Sequence, residues 1–98
     1  MAIDYAFNPT YGSTQTLTAG VASSSATLQP GTKNIRVANT GANIAYFRIG
    51  KGSVTATTSD CFILPNTIEI FTKDNDDSVF AHISPAGSTL VITLGEGL

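Results

Sequence analysis

Short runs rich in Thr, Val and Ile recur along this chain at intervals of about 8–12 residues, each closed by turn-forming residues, and that spacing is the signature of a sandwich or barrel. The runs are TQTLTA (14–19), SATLQ (25–29), NIRVAN (34–39), NIAYFRI (43–49), SVTATTS (53–59), TIEIFTK (67–73), SVFAHIS (78–84) and STLVITL (88–94), with a short CFIL after the fifth. Pro30–Gly31, Gly41, Gly50 with Gly52, Pro65–Asn66, Asp74 to Asp77, and Pro85 with Gly87 punctuate them. No window carries an apolar stripe at helical spacing. With 98 residues there is room for one domain and none for long crossovers, so the strand pairs must be mainly antiparallel. The expected fold is all-β: an antiparallel β-sandwich or jelly-roll-like barrel of about eight short strands with almost no helix. Residues 14–98 would form it, preceded by an extended arm, residues 1–13, in which Tyr5, Phe7 and Tyr11 follow no strand or helix period and Pro9 interrupts.

Alternation assigns faces to the strands. Ile35 and Val37 share one side, as do Ala45, Phe47 and Ile49, and Leu90, Ile92 and Leu94; these are expected in the core. Ile68 and Ile70 are placed with them, opposite Glu69 and Phe71. Ile44, Tyr46 and Arg48 then face outward, together with Phe71, Phe80, Val91 and His82. An outward row of Ile, Tyr and Arg has the composition of an interface centre. The alternative is that Tyr46 lies across a neighbouring strand and Arg48 pairs with Glu69 or an aspartate. The arm costs entropy to order, so it is expected either to wrap its own sandwich or to reach a neighbouring subunit. The candidate partner-contact residues are therefore Tyr5, Phe7, Tyr11, Ile44, Tyr46, Arg48 and Phe71.

Charge and chemistry narrow the function classes. Only 12% of residues are charged, the formal net charge is −2, and Lys33, Arg36, Arg48, Lys51 and Lys73 are scattered, so the basic stripe that nucleic-acid binding needs is missing. No apolar run approaches the ~20 residues of a membrane-spanning helix, and MAIDYAFNPT lacks the form of a secretion signal. Neither nucleic acid nor membrane is an expected partner. Cys61 is the sole cysteine and is expected as a small buried side chain; His82 is the sole histidine. Lys73-Asp74-Asn75-Asp76-Asp77-Ser78 groups acidic side chains, but counting from Asp74 the EF-hand's Gly and Glu positions hold Val79 and Pro85, so a solvated turn is expected. No GxSxG elbow, paired carboxylates or phosphate-binding loop occurs. The chain is not expected to be an enzyme or to need a cofactor.

The segments NIRVANTGANIAYFRIG, ATTSDCFILPNTIEIFT and AHISPAGSTLVITLGEGL, spanning roughly residues 33–98, resemble small virion structural proteins of tailed bacteriophages. The shared pattern is an N-x-G turn between two strands, an ILP-x-T-x-E segment, and an end soon after the final strand. The resemblance implies a capsid decoration or cement protein, made in the host cytoplasm and mounted on the virion surface. Its partners would be the major capsid protein and further copies of itself, as a dimer or trimer, with no catalytic residues. Alternatives of other classes are a head-to-tail or tail-fibre accessory protein and a small carbohydrate-binding module with Tyr46 as its platform.

Overall fold

The computed structural model describes residues 6–74 and 76–97. Among the described residues there are nine strands: β1 (Asn8–Pro9), β2 (Gln15–Ala19), β3 (Ser24–Thr27), β4 (Asn34–Asn39), β5 (Ala45–Gly50), β6 (Cys61–Ile63), β7 (Thr67–Thr72), β8 (Val79–Ile83) and β9 (Ser88–Glu96). They form two antiparallel sheets. Sheet A runs β1-β9-β4-β7, with β2 beside β1 on the same strand, β9; sheet B runs β3-β8-β5-β6. From β2 to β9 every pairing of a rolled-up hairpin ribbon is present: β2 with β9, β3 with β8, β4 with β7, and β5 with β6. That is the topology of a jelly roll.

The core lies between the sheets. From sheet A come Ile35, Val37, Leu90, Ile92 and Leu94, the expected set, all but removed from solvent. Sheet B supplies Ala45, Phe47, Ile63 and Phe80, and Leu28 closes one end. Phe47 is central: it stacks on Phe80 at 5.1 Å between ring centroids and meets Phe71 edge-on at 4.8 Å. Both separations lie in the favourable range for aromatic pairs.

Three face assignments are reversed by the cross-strand register. Phe71 pairs with Ile35 and Glu69 with Val37, so Phe71 turns inward onto the core while Ile68 and Ile70 face out. Phe80 pairs with Ile49, and His82 with Phe47, so both belong to the inner face. In TIEIFT and SVFAHIS each face carries apolar groups, and only the neighbouring strand decides which is buried.

Two further expectations change. Residues 53–59 make no strand; they form part of a long β5–β6 connection. The arm is no separate unit from Asn8 onward, because β1 pairs with β9 through Asn8↔Glu96 and Pro9↔Gly95. Proline is tolerated there because β1 lies at the sheet edge. Gly95 makes this docking possible, since any Cβ at that position would collide with the Asn8 carbonyl and the Phe7 ring.

Candidate docking surface

The outer face of sheet B is assembled by the β5–β6 connection and three strands. After Gly50 the chain crosses the sheet far enough for the Ala56 N–H to donate to Ser23 Oγ at 2.9 Å, immediately before β3. It returns through a turn closed by the Thr57 N–H donating to Asp60 Oδ2 at 2.7 Å, and enters β6 on the far side of β5. Arg48 fastens the returning limb, with its Nε 2.9 Å from Asp60 Oδ1. The Thr57 N–H, and after it the Arg48 guanidinium, hold the Asp60 carboxyl below the usual carboxylate range. The strap reaches from β5 to the start of β3, with β8 between them, and both Ala56 on the strap and outward-facing Ala81 on β8 are buried.

The strap covers only half of the face. On the open half, β6 and β8 flank β5 so that Tyr46 pairs with Phe62 on one side and Ile83 on the other. Ala45 pairs with Ile63, so the register carries Ile44 and Leu64 to the same end of the β5–β6 pair. Ile63 is fully buried, and its neighbours Phe62 and Leu64 therefore project outward, 54% and 50% exposed. Ile44, Tyr46 and Ile83 are half-buried beside them. The result is a continuous apolar surface of Phe62, Leu64, Ile44, Tyr46 and Ile83, bordered by the Arg48–Asp60 ion pair. Contiguous apolar patches of this kind mark contact sites.

Of the seven residues expected to contact a partner, Ile44 and Tyr46 lie in this surface. Arg48 lies at its border, exposed but engaged with Asp60, which is the second of the two readings considered for it. Phe71 is packed on the core. Phe7 lies on sheet A of its own chain, with the Arg36 guanidinium carbon 5.2 Å above its ring. Tyr11 is 90% exposed on a turn between β1 and β2. Tyr5 lies outside the described residues. Phe62 and Leu64 were missed, although CFIL carries the signal: an extended run with apolar residues at all four positions must turn two of them outward.

The remaining chemistry is distributed elsewhere. Cys61 is exposed rather than buried, because it opens β6, an edge strand. Partial burial and the nearby Glu69 and Asp60 carboxylates push its thiol above the ordinary range, which disfavours the nucleophilic thiolate. His82 and Cys61 flank Phe47 on opposite neighbouring strands, two strand spacings or about 10 Å apart. They do not meet. Asp74, Asp76 and Asp77 bring carboxylate oxygens within 4.8 Å of one another. Two ammonium groups already serve this turn: Lys51 Nζ binds Asp76 Oδ2 at 2.6 Å, and Lys73 Nζ donates to the Asp74 and Asp77 carbonyls.

His82 has a measurable consequence. Its side chain is almost wholly buried beside Phe80, and its Nδ1 has no hydrogen-bond partner among the described residues. Burial lowers its pKa from the usual 6.5. On acidification the unfolded chain gains a proton at about pH 6.5 while the folded chain still excludes it. Stability is therefore full above that pH and falls as the pH drops below it, levelling off beneath the folded-state pKa. Urea unfolding followed by far-ultraviolet circular dichroism should show this slope as the pH falls below about 6.5, and His82→Phe should remove it. An unchanged slope in the variant would assign the effect to other groups.

Comparison of the chain with protein-family models, with curated proteins and with solved structures finds no match.

Proposed function

We propose that this chain is a structural protein of a tailed-bacteriophage virion, a capsid decoration or cement subunit that binds and stabilises the shell of major capsid protein. The observation that carries the reading is the open apolar half of sheet B's outer face. A free monomer has no use for exposed Phe62 and Leu64 around Tyr46, whereas a permanently assembled subunit covers them. The resemblance of residues 33–98 to small phage virion proteins supplies the class of assembly. The jelly roll is compatible with it, being shared by viral coat and sugar-binding domains, and for that reason does not choose between them.

Arm docking changes which part of the N-terminus is available to the shell. Phe7 and Asn8 are committed to sheet A, and Ser13 Oγ accepts the Leu94 N–H at 3.1 Å, so removing residues 1–13 would strip β9 of partners. Among the described residues of the arm, Tyr11, projecting from its turn, is the aromatic side chain available to reach a capsid neighbour.

Quantitative mass spectrometry of purified particles tests the role. A cement subunit should be present in hundreds of copies per virion, and Tyr11→Ser should lower that occupancy without altering the fold. A handful of copies would reassign the chain to the head-to-tail or tail apparatus. Absence from particles, with retention on glycan columns abolished by Tyr46→Ala, would replace the proposal with the sugar-binding reading.

A further inference from the structure

We infer that the open half of sheet B's outer face is covered by the same surface of a second copy of this chain, giving a two-fold dimer stacked sheet on sheet. The inference deepens the proposed role by naming the neighbour that covers this face, and rests on that reading's expectation of a subunit assembled with copies of itself.

Three features favour a second copy over a different partner. The first is charge. None of the five patch residues, Phe62, Leu64, Ile44, Tyr46 and Ile83, is ionised, and the bordering charges, Arg48 and Asp60, neutralise each other at 2.8 Å. In a two-fold interface a surface meets itself, so any net charge would be set against its own sign. This surface brings none. A partner of opposite charge, conversely, would find nothing here to recognise.

The second is shape. The patch lies on the face of a sheet, built from adjacent positions on β6, β5 and β8. Sheets stack face to face about 10 Å apart when side chains interdigitate, as the inner faces of this sandwich already do. The half-exposed Phe62 and Leu64 lie at the sheet edge beside half-buried Tyr46 and Ile83, so the surface offers apolar groups of different reach to a facing sheet.

The third is area. Two half-exposed large side chains and three less exposed ones present on the order of 300–400 Å² of apolar surface, given the 150–250 Å² that an aromatic side chain contributes when fully buried. A stable interface takes about 800 Å² from each partner, with an apolar centre and a polar rim. The patch is of the size of that centre, and the strap around Thr57–Asp60 is placed to supply rim. Tyr46 at the middle, ringed by aliphatic groups, has the make-up of an interface anchor.

Sedimentation velocity on the full-length chain, from about 1 µM to about 100 µM, should show a monomer–dimer equilibrium, the affinity range in which apolar centres of this size operate. The double variant Phe62→Asp, Leu64→Asp should be monomeric throughout, with an unchanged circular dichroism spectrum because both positions are exposed in the monomer. Ile68→Asp, at a position 64% exposed on the outer face of sheet A, should leave the dimer intact. Amide exchange provides a readout on the unmodified chain: protection of residues 44–46 and 62–64 should rise with concentration. A monomer at every concentration, a dimer that survives the double variant, or protection that rises only on sheet A would overturn the inference. Occupancy on phage heads is measured separately, so a chain that decorates virions as a monomer would sink the dimer and leave the proposed role standing.

Discussion

Replacing Asn39 by leucine should lower the stability of the fold by about 3–5 kcal/mol, a large share of the ~5–15 kcal/mol available to a domain of this size. Asn39 ends β4 on the inner face and is 1% exposed. Its Nδ2 donates to the carbonyls of Asn43 and Ile63, at 2.9 and 3.0 Å. Its Oδ1 accepts the Gly41 N–H at 3.1 Å and the Ser88 hydroxyl at 2.6 Å. One side chain thus ties β4 and β9 of sheet A to the start of β5 and the end of β6 in sheet B. Leucine fills the same volume but leaves two carbonyls, an amide and a hydroxyl without partners in a region water reaches poorly, and unmade bonds of buried groups cost more than made ones contribute. The energies will not add in full, since the Asn43 carbonyl can turn toward solvent. Ser88→Ala removes a single bond of the set and should cost about 1 kcal/mol. Urea midpoints read by circular dichroism rank the two. Equal losses would mean that these four hydrogen bonds do not act as one hub. Gly41 belongs to the same corner: a Cβ there would collide with Ser88 and Thr89, so the N-x-G turn is fixed by how closely β9 approaches it.

The strands that could be read from the sequence are those with one clean face. In NIRVAN and STLVITL the apolar core positions are Ile or Val and Leu or Ile, while the alternate ones are mostly polar or small; both strands sit where expected, with the expected apolar faces inward. TIEIFT offers Ile68 and Ile70 against Glu69 and Phe71, and two isoleucines outweigh one phenylalanine on any hydropathy count. The structure chooses Phe71 because β7 is an edge strand held by β4, whose register places Ile35 opposite it and Phe47 above it. SVTATTS alternates as a strand does, yet its backbone is spent on the strap, where Ser23 and Asp60 receive its N–H groups. Those partners are 33 and 3 residues away in sequence, and only the shorter link is the kind of local pattern a sequence displays. The docking surface was legible on β5, where Ile44, Tyr46 and Arg48 alternate against Ala45, Phe47 and Ile49. On β6 it was legible only as the unbroken apolar run CFIL, because a three-residue strand is too short to show by its period which positions face out.

Phe80→Ala should cost about 3–5 kcal/mol, the loss typical of a buried phenylalanine, and this result separates the two placements of that ring. An outward Phe80 awaiting a partner would make the substitution nearly silent in the isolated protein, within about 0.5 kcal/mol. In the structure its ring is fully buried, stacked on Phe47 with 14° between the planes, and paired with Ala26 on β3 and Ile49 on β5. Removing it opens a cavity at the centre of sheet B's inner face and withdraws one of the two aromatic neighbours that position Phe47. The size of the loss depends on how far the surroundings relax, and an antiparallel strand held on both sides has little freedom to close the space. Val79→Ala, at the half-buried neighbouring position on the opposite face, should cost much less, about 0.5–1.5 kcal/mol for the methyl groups removed. Paired urea melts of the two variants therefore read the register of β8 directly. With Phe80 turned inward, the outward aromatic side chains of sheet B among the described residues are Tyr46 and Phe62, adjacent across β5 and β6. An assembly that covers sheet B must do so at that pair, so a variant that leaves Phe80 in place and alters Phe62 should lose association while keeping its stability.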